Sequence, residues 1–135
     1  MITVKNLYKS FDESVVLNNI STRFENGKTN LIIGQSGSGK TIFMKCILGL
    51  YGINSGEIFF GDKSFQKMNI KERSILRQEI GMVFQGSALF DSMTVEENIM
   101  FPMRMLTKKS FKEMQDRANE VIARVDLINS NKKLP

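Results

Sequence analysis

The sequence predicts an α/β domain built around a glycine-rich loop, and three observations carry that expectation. A short apolar run, Thr29 to Ile33, leads into the glycine-rich stretch Gly34-Gln35-Ser36-Gly37-Ser38-Gly39-Lys40-Thr41, after which Thr41 to Leu50 has helical character. A strand candidate at Glu57 to Phe60, a polar helix candidate at Asn69 to Arg77 and a strand candidate at Ile80 to Phe84 then continue the β and α alternation. Beyond Phe84 the pattern turns helical, and two helix starts are announced by a hydroxyl residue with glutamate three positions on.

Taken in order, Ile2, Val4 and Leu7, then Val15 to Leu17, then Ile20 to Phe24 read as strand material separated by turn-prone Asp12-Glu13 and Asn18-Asn19. Asn26-Gly27 is the expected hairpin turn closing this β part. Gly49-Leu50-Tyr51-Gly52 is the expected stop of the first helix. Thr94-Val95-Glu96-Glu97 and Ser110-Phe111-Lys112-Glu113 have the capping-box form, in which hydroxyl and carboxylate satisfy free amides reciprocally. In the second of these helices Phe111, Met114, Ala118, Val121, Ile122 and Val125 recur at three- and four-residue steps, predicting one packing face as far as Leu127. No repeat or linker divides the chain, so a single domain is expected over residues 1–135.

Composition narrows the chemistry. At 135 residues and 41% apolar content the chain can bury a core, and its charge of +5 permits contact with phosphate groups without demanding it. Lys108, Lys109, Lys112, Arg117, Lys132 and Lys133 are interspersed with Glu113, Asp116, Glu120 and Asp126, which suits a solvated face better than a nucleic-acid patch. The single Cys46 offers neither a disulfide nor metal-ligand spacing and suits a reducing compartment. The opening Ile2-Thr3-Val4-Lys5 carries no charged-then-apolar leader, and no apolar run approaches the roughly 20 residues of a membrane span. Histidine is absent, which removes the commonest general base and metal ligand.

Gly34 to Thr41 matches the P-loop pattern in full, in the strand-to-helix setting its mechanism requires. Glycine lets the backbone approach phosphates closely and adopt positive φ, so that amides hold the anion. Lys40 is expected to place its ammonium between the β- and γ-phosphates and Thr41 to give its hydroxyl to Mg²⁺.

Around the loop, Val4-Lys5-Asn6-Leu7, Phe11, Val16-Leu17-Asn18-Asn19-Ile20-Ser21, Ser55-Gly56-Glu57-Ile58 and Gly81-Met82-Val83-Phe84-Gln85 resemble the nucleotide-binding subunits of ABC transporters over almost the whole chain. The resemblance implies an ABC-type fold with an N-terminal antiparallel β part and P-loop core over 1–84, then a Q-loop and the start of a helical subdomain over 85–135. It implies that Phe11 stacks on adenine and that Gln85 reaches Mg²⁺ and the attacking water. ATP and Mg²⁺ are the implied ligands. A transmembrane permease subunit and a second ATP-binding subunit in a homodimer are the implied partners, with no direct nucleic-acid contact. The implied location is cytoplasmic, peripheral on the inner membrane face through the permease.

The segment Gly86-Ser87-Ala88-Leu89-Phe90-Asp91-Ser92-Met93-Thr94-Val95, with Asn98 and Phe101-Pro102-Met103-Arg104, looks like the lipid-transport ATPases associated with Mce and Mla proteins, which implies an apolar cargo such as phospholipid. Leu89, Phe90, Met93, Met100, Phe101, Met103 and Met105 form a Met-rich apolar segment suited either to receiving a helix of the membrane subunit or to core packing. The family's Asp-Glu strand end, its Leu-Ser-Gly-Gly-Gln signature and its switch histidine do not occur in the sequence, which ends at Leu134-Pro135. The expectation is therefore an incomplete ATP-binding domain, hydrolytic only in a fuller form. A soluble ABC-type ATPase acting on nucleic acid or ribosomes, and a non-catalytic nucleotide-binding remnant, are the competing readings.

Overall fold

The structure, a computed structural model, describes all residues except Ser87, one of the positions in the lipid-ATPase resemblance. It divides into two compact units, Met1–Gly81 and Met82–Pro135.

In the first unit β1 (Ile2–Phe11) and β2 (Ser14–Phe24) form an antiparallel hairpin across the expected Asp12-Glu13 turn. β3 (Ser55–Phe60) pairs with the other side of β1, and the two-residue β4 (Lys63–Ser64) completes an antiparallel sheet of order β2-β1-β3-β4. Val4, Leu7, Leu17 and Ile58 are buried in one cluster, and the register shift between Val4 and Leu7 lets two residues three positions apart in β1 join it. Helix α1 (Lys40–Ile47) buries Phe43, Cys46 and Ile47 in the same cluster, joined by Phe65. Burial raises the Cys46 thiol above its ordinary pKa, so it packs as an apolar side chain. Helix α2 (Ile70–Gln78) follows a single 3₁₀ turn and begins on Asn69 with a complete capping box to Glu72.

Three expectations change here. Asn18-Asn19 is not a turn: β2 runs through it, and the pair marks a register irregularity in which Asn6 and Asn19 both adopt positive φ and Asn6 Nδ2 donates to Asn19 Oδ1 at 2.9 Å. Thr29 to Ile33 pairs with no strand, and Leu31 and Ile33 stand 82% and 81% exposed. Asn26-Gly27 is accordingly a turn, closed by Asn30 Nδ2 on the carbonyls of Glu25 and Lys28, but not the turn of a hairpin. A ladder needs a partner remote in sequence, which an apolar run cannot supply for itself.

The second unit contains α3 (Val95–Leu106) and α4 (Phe111–Arg124), and both expected capping boxes form, Thr94 with Glu97 and Ser110 with Glu113. Met100, Met114 and Ala118 make its core, with Ile99 and Met103 packed against it. The expected face of α4 is shorter than predicted: Met114, Ala118 and Ile122 are buried, whereas Phe111, Val125 and Leu127 are exposed. In the Met-rich segment Met100 is core and Met105 is exposed. Asn98 holds the entry to α3, accepting from the Phe90 amide at 2.8 Å and donating to the carbonyls of Phe90, Met93 and Thr94. The first amides of α3 also find carbonyls, Val95 N donating to Lys133 O and Glu96 N to Asn131 O. Ile80 to Phe84, at the division between the units, pairs with no strand, and Val83 is fully exposed.

Candidate functional site

Two glycines set the shape of the loop before α1. Gly37 (φ 79°) and Gly39 (φ 89°) adopt the left-handed conformation that L side chains rarely take, while Gly34 does not. A Cβ on Gly34 would lie 2.8 Å from Ser38 Oγ, the end of a side chain that can turn away. A Cβ on Gly39 would come 3.0 Å from the Val16 carbonyl oxygen and 3.1 Å from a Leu17 methyl, so only glycine lets the loop lie against β2. At Gly37 nothing lies within 4 Å of that position, and the backbone there is open.

The Lys40 side chain turns back into this loop. Its Nζ donates to the Gly34 carbonyl at 2.7 Å and the Gln35 carbonyl at 2.6 Å, with Ser38 Oγ at 3.5 Å. One positive charge is thereby held inside the curve of the backbone. The N-terminus of α1 has Gly39 as its cap and no side-chain cap bond, whereas α2, α3 and α4 each begin with a full capping box. The amides of its first turn have no intrahelical acceptor by geometry, and they concentrate the positive end of the helix dipole at the loop. From Gly34 to Thr41 the donors are amides, hydroxyls and one ammonium, with no carboxylate among them. That donor set fits a polyphosphate, and Thr41 is exposed, with a hydroxyl of the kind that can serve as an oxygen ligand for Mg²⁺. Beside Lys40, a cleft of about 400 Å³ is walled mainly by apolar side chains including Leu17, Phe24, Leu31, Ile33 and Phe43.

Phe11 sits at the end of β1, paired with Ser14 across the hairpin turn. Its ring meets that of Tyr51 edge to face, centroids 5.4 Å apart at 81°, and Lys9 Nζ lies 4.5 Å from its centroid. The core role open to an aromatic in a strand is therefore not what Phe11 does, for it remains 37% exposed. Gln85 belongs to the second unit and is exposed. Phe11, Lys40, Thr41 and the loop glycines belong to the first unit, and Gln85 to the second.

Residues 17–135 match the family described as ABC transporter. The chain belongs to the ABC transporter family. This ABC chain is 40% identical over 111 residues to the phosphonates import ATP-binding protein PhnC of Fusobacterium nucleatum, covering 82% of this chain and 44% of that protein. It is 34% identical over 135 residues to the methionine import ATP-binding protein MetN of Clostridium tetani, covering 100% of this chain and 42% of that protein. Among solved structures it is similar to the ATP-binding cassette MJ0796 in a dimeric post-hydrolysis structure bound to ADP and Pi, with TM-score 0.86, 26% identity, 100% of this chain and 62% of that chain. The fold is the ABC-type nucleotide-binding fold. This chain spans less than half the length of these two curated relatives.

Two features of the ABC chain were not legible beforehand. Tyr51 follows the glycine that ends α1, and nothing in its spacing announces a partner for Phe11. Glu96 lies in a predicted capping box yet is buried and faces the chain's last turn: it accepts from Asn131 Nδ2 at 3.0 Å and Gln115 Nε2 at 3.1 Å, with Lys132 Nζ at 3.8 Å. The Asn131 bond above all holds its carboxyl below the ordinary range, against the opposing effect of burial. Among the described residues no cluster of His, Cys, Asp and Glu could hold a metal, and no helix is long and apolar enough to cross a membrane.

Proposed function

We propose that this chain is the nucleotide-binding part of an ABC transport ATPase, an incomplete ATP-binding domain comprising a β part and P-loop core over 1–84 and a Q-loop with helical subdomain over 85–135. The observation that carries the reading is the beginning of α1, a helix uncapped by any side chain, preceded by two left-handed glycines and a lysine folded into the same loop. Loop amides and the Lys40 ammonium hold the β- and γ-phosphates, and Phe11 stacks on the base. Thr41 would hold Mg²⁺ through its hydroxyl oxygen, and the ion would neutralise phosphate charge. The family resemblance assigns Gln85, in the second unit, to Mg²⁺ and the attacking water, a task a neutral amide can do by hydrogen bonding.

The fuller protein hydrolyses ATP as a homodimer docked to a transmembrane permease, peripheral on the cytoplasmic face. The relatives, import ATP-binding proteins for phosphonates and methionine, favour a transporter over a soluble ATPase acting on nucleic acid. Those cargoes differ from each other, so the nucleotide part leaves cargo open; a phospholipid or other apolar cargo rests on the segment 86–104 alone.

The test is binding of a fluorescent ATP analogue to the chain and to its Lys40→Ala variant. Saturable binding that is lost in the variant supports the reading. Undiminished binding by Lys40→Ala, with the fold intact by circular dichroism, refutes it.

A further inference from the structure

We infer that Tyr51 is a positioning residue for nucleobase recognition: it holds the Phe11 ring at the angle from which that ring stacks on the base. The inference rests on the nucleotide reading above and assigns a role to a residue which that reading does not use. Phe11 and Tyr51 are both exposed, so their edge-to-face contact is not a consequence of core packing. Each ring has a cation on it, Lys9 Nζ at 4.5 Å from the Phe11 centroid and Lys45 Nζ at 5.4 Å from the Tyr51 centroid. A flat apolar ring flanked by positive charge suits a ligand that is itself a flat ring joined to a polyanion.

Tyr51 is fixed from both sides. The amides of Leu50 and Tyr51 both donate to the Lys45 carbonyl, which ties Tyr51 to the last turn of α1. Three residues on, Asn54 N donates to the Tyr8 carbonyl at 3.0 Å and Asn54 Oδ1 accepts from Ser10 N at 2.9 Å, which ties the same segment to β1 just before Phe11. Meanwhile Val16, two positions from the residue paired with Phe11, touches Gly39 of the phosphate loop. One helix therefore carries the phosphate loop at its start and the brace for the base-stacking ring after its end. An unbraced Phe11 would still be present but would sample other rotamers, and base binding would bear the entropy of ordering it.

Isothermal titration of the chain with ATP and with tripolyphosphate, which has the phosphates and no base, separates the roles. Tyr51→Leu is expected to weaken ATP about threefold to tenfold, the range for losing one aromatic pair, and to leave tripolyphosphate unchanged. Tyr51→Phe, which keeps the ring, should retain full ATP affinity. In a Phe11→Leu background Tyr51→Leu should add no further loss, because a brace has nothing left to hold. Unchanged ATP affinity in Tyr51→Leu, an equal loss for both ligands, or a loss in Tyr51→Phe overturns the inference. If Lys40→Ala abolishes both ligands while Tyr51→Leu affects neither, the nucleotide reading stands without it; if the unaltered chain binds neither ligand, both fall together.

Discussion

Replacing Gly39 by alanine tests whether the loop before α1 is shaped by backbone conformation and close approach together. Gly39 sits at φ 89°, and an alanine held there carries a strain of about 1–2 kcal/mol. Its methyl would also stand 3.0 Å from the Val16 carbonyl and 3.1 Å from Leu17, tight enough to push β2 away by a few tenths of an ångström, at about 1–2 kcal/mol. The smaller freedom of the unfolded chain returns roughly 0.4–1 kcal/mol, leaving a net loss of about 2–3 kcal/mol. Gly37→Ala is the internal control: its φ of 79° carries the same strain, but no atom lies within 4 Å of the added methyl, so the net loss should be about 1 kcal/mol. Urea unfolding followed by far-ultraviolet circular dichroism measures both. Equal midpoints for the two variants would mean that β2 does not confine the loop at Gly39.

Two further outcomes concern the second unit. Asn98→Ala removes the acceptor of the Phe90 amide and the donor to three carbonyls, and should destabilise this unit by about 2–3 kcal/mol; faster hydrogen exchange at the Phe90 amide would accompany it, and unchanged exchange would show the latch to be dispensable. Glu96 is held below the ordinary carboxylate range, chiefly by Asn131, so its contribution is complete above the unfolded pKa of about 4.3 and fades as pH falls through the lower folded value. Urea midpoints at pH 7 and pH 4 should therefore differ less in Glu96→Gln than in the unaltered chain, and an equal difference would remove Glu96 from the acid response.

What could be read in advance was whatever neighbours in sequence decide. Thr94 with Glu97 and Ser110 with Glu113 cap their helices because three residues are enough to close both bonds, and the Gly34 to Thr41 pattern encodes its own turn. Thr29 to Ile33 has strand composition but no local means of pairing, and Asn18-Asn19 has turn composition but is carried through by the ladder to β1. The Phe11 and Tyr51 contact spans 40 positions of chain, and the Glu96 and Asn131 bond 35, so neither leaves a mark on any short window.

The start of α1 also bears on how long the protein lasts. Three helices finish their own first turns with side-chain caps and this one does not, so an anion bound there would link ligand binding to folding in a single equilibrium. An anion present at a hundred times its dissociation constant would deepen the folded well by about 2.7 kcal/mol. Proteases act on the opened chain, and its population falls with that well, so the amount of surviving protein would track the supply of the molecule it binds.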